Sequence, residues 1–90
     1  MEKISEESAA AYIKLGDYWD LHGQPQQAEQ AFLKALRITD EILFSSKDIQ
    51  HTSLAKEICL RLADLNMQQG NMHGADFYYV KAMNHSQSKI

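Results

Sequence analysis

Cys59, the histidines His22, His51, His73 and His85, and the pair Asp17 and Asp20 are the side chains whose types suit catalysis or metal binding. Their spacing suits neither. No two histidines stand four apart, and there is no Cys-x2-Cys or His-Glu-x2-His, so no ligand set converges on one helix face. His22 and His73 both fall near expected turns between helices, where a metal site would be no more than a chance one. Cys59 sits in an apolar helical stripe, where a thiol packs rather than attacks. Asp17 and Asp20 share a helix face, but an exposed carboxylate pair stays ionised without acid–base work. No glycine-rich phosphate loop is present. No catalytic residue, metal or cofactor is expected, and the chain is not read as an enzyme.

The 90 residues carry a net charge of −3 and a pI near 5.7, a poor match to a phosphate backbone, so nucleic acid is set aside as a partner. The composition, 44% hydrophobic and 23% charged, is that of a globular chain. Four glycines and one proline favour helix throughout. The stretch Glu2 to Ser8 is acidic and polar, unlike a signal peptide, and no apolar run reaches the roughly 20 residues that span a bilayer. With a single cysteine, these features predict a cytoplasmic protein with no membrane partner. Residues 1–90 read as one domain.

Two segments must position whatever surface the chain presents, and they are alike. Gly23, Ala28, Phe32, Ala35 and Leu36 recur 47 positions later as Gly70, Ala75, Tyr79, Ala82 and Met83. A fixed offset over five positions signals an internal repeat. The first helix is expected after Ser5 as N-cap, burying Tyr12, Leu15, Gly16 and Trp19 at helical spacing. Gly23 stops it, and Pro25 opens the second helix, which runs to about Phe44. That helix buries Ala28, Ala31, Phe32, Ala35 and Leu36, with Ile42 and Leu43 beyond. Ser45 to Asp48 carry the expected turn, with Ser46 or Asp48 as the next cap. The third helix reaches Gln69 and buries Leu54, Ala55, Ile58, Cys59, Leu62 and Leu65. Gly70 and Asn71 turn the chain again, and the fourth helix, Met72 to Ser86, buries Ala75, Tyr78, Tyr79, Ala82 and Met83. No glycine or proline lies between Pro25 and Gly70. A single continuous helix, opening the domain for exchange between two copies, is therefore the alternative to a turn at residues 45–48.

The pattern Tyr12-x2-Leu15-Gly16-x2-Trp19-x3-Gly23-x4-Ala28-x3-Phe32-x2-Ala35-Leu36 resembles a tetratricopeptide repeat. The second copy is worn: Cys59, Leu62-Ala63 and Asn66 replace the first aromatic, Leu-Gly and the second aromatic. The repeats cover about 9–44 and 48–89. The period of 47 exceeds the family's 34 by 13 residues, placed between Leu36 and Lys56, and neither copy ends in the usual proline. The chain is thus similar to long-helix variants of the family. The resemblance implies an all-α fold, two antiparallel helical hairpins stacked as an α-α superhelix.

It also implies a protein-binding role, as adaptor, scaffold or assembly factor. By position, the groove that holds a partner's peptide or helix would be lined by Ala10, Ile13, Asp17 and Asp20 of the first helix. Glu57, Leu60, Asp64 and Met67 of the third helix would complete it. Four carboxylates among apolar side chains fit a basic, amphipathic partner. Ile13 and Asp17 stand where some family members clamp a chaperone's C-terminal carboxylate, and Asp17 would repel one. Phe77, Tyr78 and Val80 on the outer face of the last helix, with no third repeat to cover them, would form a self-association surface. A self-assembling homodimer is therefore the rival reading, and a regulatory domain of a larger enzyme system is the third.

Overall fold

The computed structural model describes residues 6–46 and 50–86, and the side-chain surroundings of residues 7–42 and 54–84. These residues form four helices: α1 Glu6–Leu21, α2 Pro25–Ser46, α3 Gln50–Gln68 and α4 Met72–Ser86. The chain is all-α, built as two helical hairpins, α1 with α2 and α3 with α4, joined where α2 packs on α3. The expected helix limits are met within two residues. Ser5, Asp48 and Ile49 lie outside the described residues, while Ser46 is the last residue of α2. α2 and α3 are separate helices lying against each other, which agrees with a turn and not with one continuous helix.

The sequence repeat is also a repeat of turn geometry. Gly23 and Gly70 adopt φ of 73° and 81°, a left-handed conformation that a side chain would strain. After the first helix, Gln24 N–H donates to Trp19 O (2.8 Å) and Gly23 N–H to Asp20 O (3.2 Å). The counterparts, Asn71 N–H to Asn66 O (2.8 Å) and Gly70 N–H to Met67 O (3.0 Å), stand 47 positions on. Both helix ends are thus Schellman caps, which satisfy carbonyls the helix leaves open. Each following helix starts alike: Ala28 N–H donates to Gln24 O and Ala75 N–H to Asn71 O, both at 3.0 Å.

Packing inside the hairpins explains the small residues. A methyl at Gly16 would stand 2.6 Å from Cδ1 and 2.8 Å from Cζ of Phe32, so glycine lets that ring reach full burial. In the second hairpin Ala63 takes the place of Gly16, and Tyr79, in the place of Phe32, is only half-buried. Asn66 replaces the half-buried Trp19 and is itself buried. Its Nδ2 donates to Leu62 O (2.7 Å) and its Oδ1 accepts from Asn71 Nδ2 (2.8 Å). Asn71 Oδ1 in turn accepts from Gly74 N–H (3.1 Å), an N-cap for α4. A methyl on Gly74 would stand 2.6 Å from Asn71 Nδ2 and 2.9 Å from Asn66 Cγ. The worn second copy is therefore a different closure, an amide network where the first hairpin uses an aromatic ring. Buried Thr39 donates its hydroxyl to Leu36 O (2.8 Å), satisfying itself locally.

The core contains Ala28, Phe32, Ala35, Leu36, Ala55, Ile58, Cys59, Leu62, Leu65 and Ala82, as expected, with Leu54, Tyr12 and Trp19 packed at its edge. Ile38 and Ala63 are buried as well. Three expectations fail. Leu15 and Met83, expected inside, are exposed: Leu15 borders an open depression between α1 and α2, and Met83 lies near the end of α4. Ile13, expected on an open groove, is buried in the core, because it lies on the side of α1 that the second hairpin approaches.

Candidate functional site

Of the expected groove residues, the structure brings Asp17 of α1 and Glu57 of α3 together at the α1–α3 edge. Arg61 crosses between the helices. Its Nε donates to Asp17 Oδ1 (2.9 Å) and its Nη2 to Asp17 Oδ2 (3.2 Å), a two-point grip that fixes orientation as well as distance. Its Nη1 also lies 3.5 Å from Glu57 Oε1, one helical turn earlier on α3. Below this bridge Ile13 belongs to the core, so it lines no groove. Ala10 is half-buried, and Asp20, Glu57, Leu60, Asp64 and Met67 are exposed. Gln68 Nε2 donates to Asp64 Oδ2 (3.3 Å). Arg61 was not among the expected site residues, although the Glu57–Arg61 spacing of four was visible. Its presence lowers the edge's charge: four carboxylates against one guanidinium leave −3. Beside it Glu57, Leu60, Arg61 and Asp64 border a shallow depression of about 360 Å³, closed on the α4 side by Tyr79.

The expected self-association residues separate. Phe77 and Val80 are exposed on α4 and, with His73, Asp76, Lys81 and Asn84, line a depression of about 460 Å³. Tyr78 instead turns inward and packs on the core, its ring edge-on to Phe77 at 5.0 Å. Burial raises its phenol above the usual range, helped by the negative charge of Glu29 and by Cys59. It belongs to the inner face, because Tyr78 lies between Ala75 and Ala82 on the arc that meets α2 and α3.

At the other end of the molecule Tyr12, Leu15, Trp19 and Lys34 border a depression of about 330 Å³ between α1 and α2. The Lys34 ammonium lies 5.5 Å from the centre of the Tyr12 ring, within cation–π range. Tyr18 carries His22 against its ring at 4.2 Å, with His22 Nδ1–H donating to the Tyr18 carbonyl (2.9 Å). Of these rings, Tyr12 and Trp19 were expected in the core. Both are half-buried and pack at the core's edge, whereas Tyr18 is exposed.

Cys59 is fully buried, and burial pushes its thiol up to about 11, with Lys81 lowering and Asp40 raising it by smaller amounts. A thiol so placed holds its proton and is a packing group. Among the described residues no group of three or more histidine, cysteine, aspartate or glutamate side chains is placed to hold a metal ion. No described helix is long and apolar enough to cross a membrane. No family model, characterised protein or solved structure matches the chain.

Proposed function

We propose that the chain is a non-catalytic protein-interaction module of tetratricopeptide type, holding a basic amphipathic segment of a partner along the α1–α3 edge. The observation that carries this reading is the mixed surface itself. Asp20, Glu57 and Asp64 alternate with exposed Leu60 and Met67 on two helices that Arg61 and Asp17 hold in register. A lysine-rich helix with an apolar stripe would meet carboxylates and apolar side chains at matching intervals. Because Arg61 faces Asp17 and Glu57, the attractive charge of the edge rests mainly on Asp20 and Asp64.

The test is fluorescence anisotropy with a labelled lysine/leucine amphipathic peptide and an equally apolar glutamate/leucine control. Asp20→Lys and Met67→Asp, both at exposed positions, should each weaken the basic peptide's binding by about tenfold or more, about 1.4 kcal/mol. Equal binding of the acidic control, or indifference to both substitutions, refutes the reading. A second reading, self-assembly, is favoured by the exposure of Phe77 and Val80.

A further inference from the structure

The two hairpins provide an internal comparison. Residues 47 apart hold equivalent places in their own hairpins, so a difference in their burial reports what the neighbouring hairpin covers. Leu62 is 0% exposed and Leu65 2%, whereas their equivalents Leu15 and Tyr18 are 42% and 51% exposed. Ile58 is buried, and its equivalent Ala11 is exposed. These α3 residues form the face that meets the first hairpin, and α1 carries the same face uncovered. The first hairpin's side of the joint behaves likewise. Ile13 and Leu36 are each 7% exposed, while their equivalents Leu60 and Met83 are 39% and 54% exposed. The molecule therefore displays one half of its own internal joint at each end.

The charges follow the same rule. The joint is bridged by Arg61 of α3 and Asp17 of α1. Forty-seven positions away from each stand Lys14 and Asp64, opposite in sign, exposed and at opposite ends. Among the described residues Lys14 has no ion-pair partner and Asp64 accepts only the amide of Gln68. We infer that a second copy of this chain docks head to tail, the Lys14, Leu15 and Tyr18 face of one copy on the Leu60, Asp64 and Met83 face of the next. In that contact Lys14 meets Asp64 as Arg61 meets Asp17. The contact is heterologous, so it repeats from copy to copy into an open stack. The inference goes beyond the peptide-binding reading: it shares Leu60 and Asp64 with that surface but neither Asp20 nor Met67, the positions varied to test that reading.

Sedimentation velocity over a concentration series tests it, with circular dichroism confirming helicity. The weight-average mass of the wild-type chain should rise continuously with concentration. Leu15→Asp blocks one end and Met83→Asp the other: each alone should be monomeric, and an equimolar mixture should form a 1:1 heterodimer and nothing larger. Lys14→Glu alone and Asp64→Lys alone should each weaken assembly by about threefold to tenfold, the scale of one exposed ion pair reversed. Mixing those two variants should restore wild-type assembly, because each joint then pairs opposite charges. A wild-type chain that stays monomeric at its highest soluble concentration overturns the inference. So does a Leu15→Asp chain that assembles like the wild type, or a mixture that assembles no better than its components.

Discussion

Gly16→Ala sets two known effects against each other, and the structure decides the sign. In an ordinary helix interior the exchange stabilises by about 1 kcal/mol, through backbone entropy. Here the added methyl would stand 2.6 Å from Cδ1 and 2.8 Å from Cζ of Phe32. Carbon pairs rest at about 3.5–4.0 Å, so the ring edge must retreat by about 1 Å. Phe32 is only 2% exposed, which puts the cost in the upper part of the roughly 1–3 kcal/mol seen for overpacked cores. The net expectation is a loss of about 1–2 kcal/mol, or a fall in melting temperature of roughly 4–16 °C for a domain of this size. Urea unfolding followed by far-UV circular dichroism measures it. Phe32→Leu supplies the control: with the ring gone, Gly16→Ala should be neutral or stabilising in that background. A Gly16→Ala chain more stable than its Phe32 parent would show that helix propensity alone governs the position, and the close-packing argument would be wrong.

Gly23→Ala and Gly70→Ala meet no atoms within 4 Å, so their cost comes from positive φ alone. Each should lose about 1–2 kcal/mol in denaturant unfolding, and the double variant should be additive within about 0.5 kcal/mol. Asn66→Ala strips the buried amide that joins Leu62 to Asn71, and should cost about 1–3 kcal/mol. Asn71→Ala removes the N-cap and also the donor to buried Asn66 Oδ1, and should cost about 1–3 kcal/mol. The Cys59 thiol is raised from 9.0 to about 11 by burial. The unfolded chain therefore releases this proton first, and stability should be full below pH 9 and decline as pH rises to about 11. Cys59→Ala should flatten that stretch of the stability–pH curve; an unchanged slope would assign the decline to other groups.

The hairpins were legible because their determinants are local: a glycine stop, a small residue at the helix crossing and an aromatic one turn away, repeated at a fixed offset. What was not legible depends on neighbours distant in sequence. Ile13 and Asp17 share one face of α1, and nothing local separates a residue buried under the second hairpin from one on its rim. Arg61 was half visible, as an i, i+4 partner of Glu57, but its stronger grip on Asp17 spans 44 positions. Asn66 read as a lost aromatic. The compensating residues, Asn71 and Gly74, signal a closure only once they are known to converge on one helix end. Leu15 and Met83 matched the repeat pattern and yet are exposed, because the pattern marks positions that bury when another hairpin lies beside them.

The internal joint and the proposed intermolecular one contain equivalent side chains but differ in their free energy, and the difference is set by the connection between α2 and α3. Within the chain the second hairpin is tethered by a few residues, so the contact forms at an effective concentration of order millimolar or above. Between chains the same contact must also overcome lost translational and rotational freedom, estimated at roughly 4–15 kcal/mol. The exposed charge pair offsets little of that, about 0–1 kcal/mol, so the apolar surfaces at Leu15, Tyr18, Leu60 and Met83 have to supply most of the attraction. Those side chains are already partly covered by their own hairpins, which limits what each contact can gain. The intermolecular joint must therefore be far weaker than the internal one. A distribution of sizes that shifts with concentration follows from this balance, and a single species of fixed size does not.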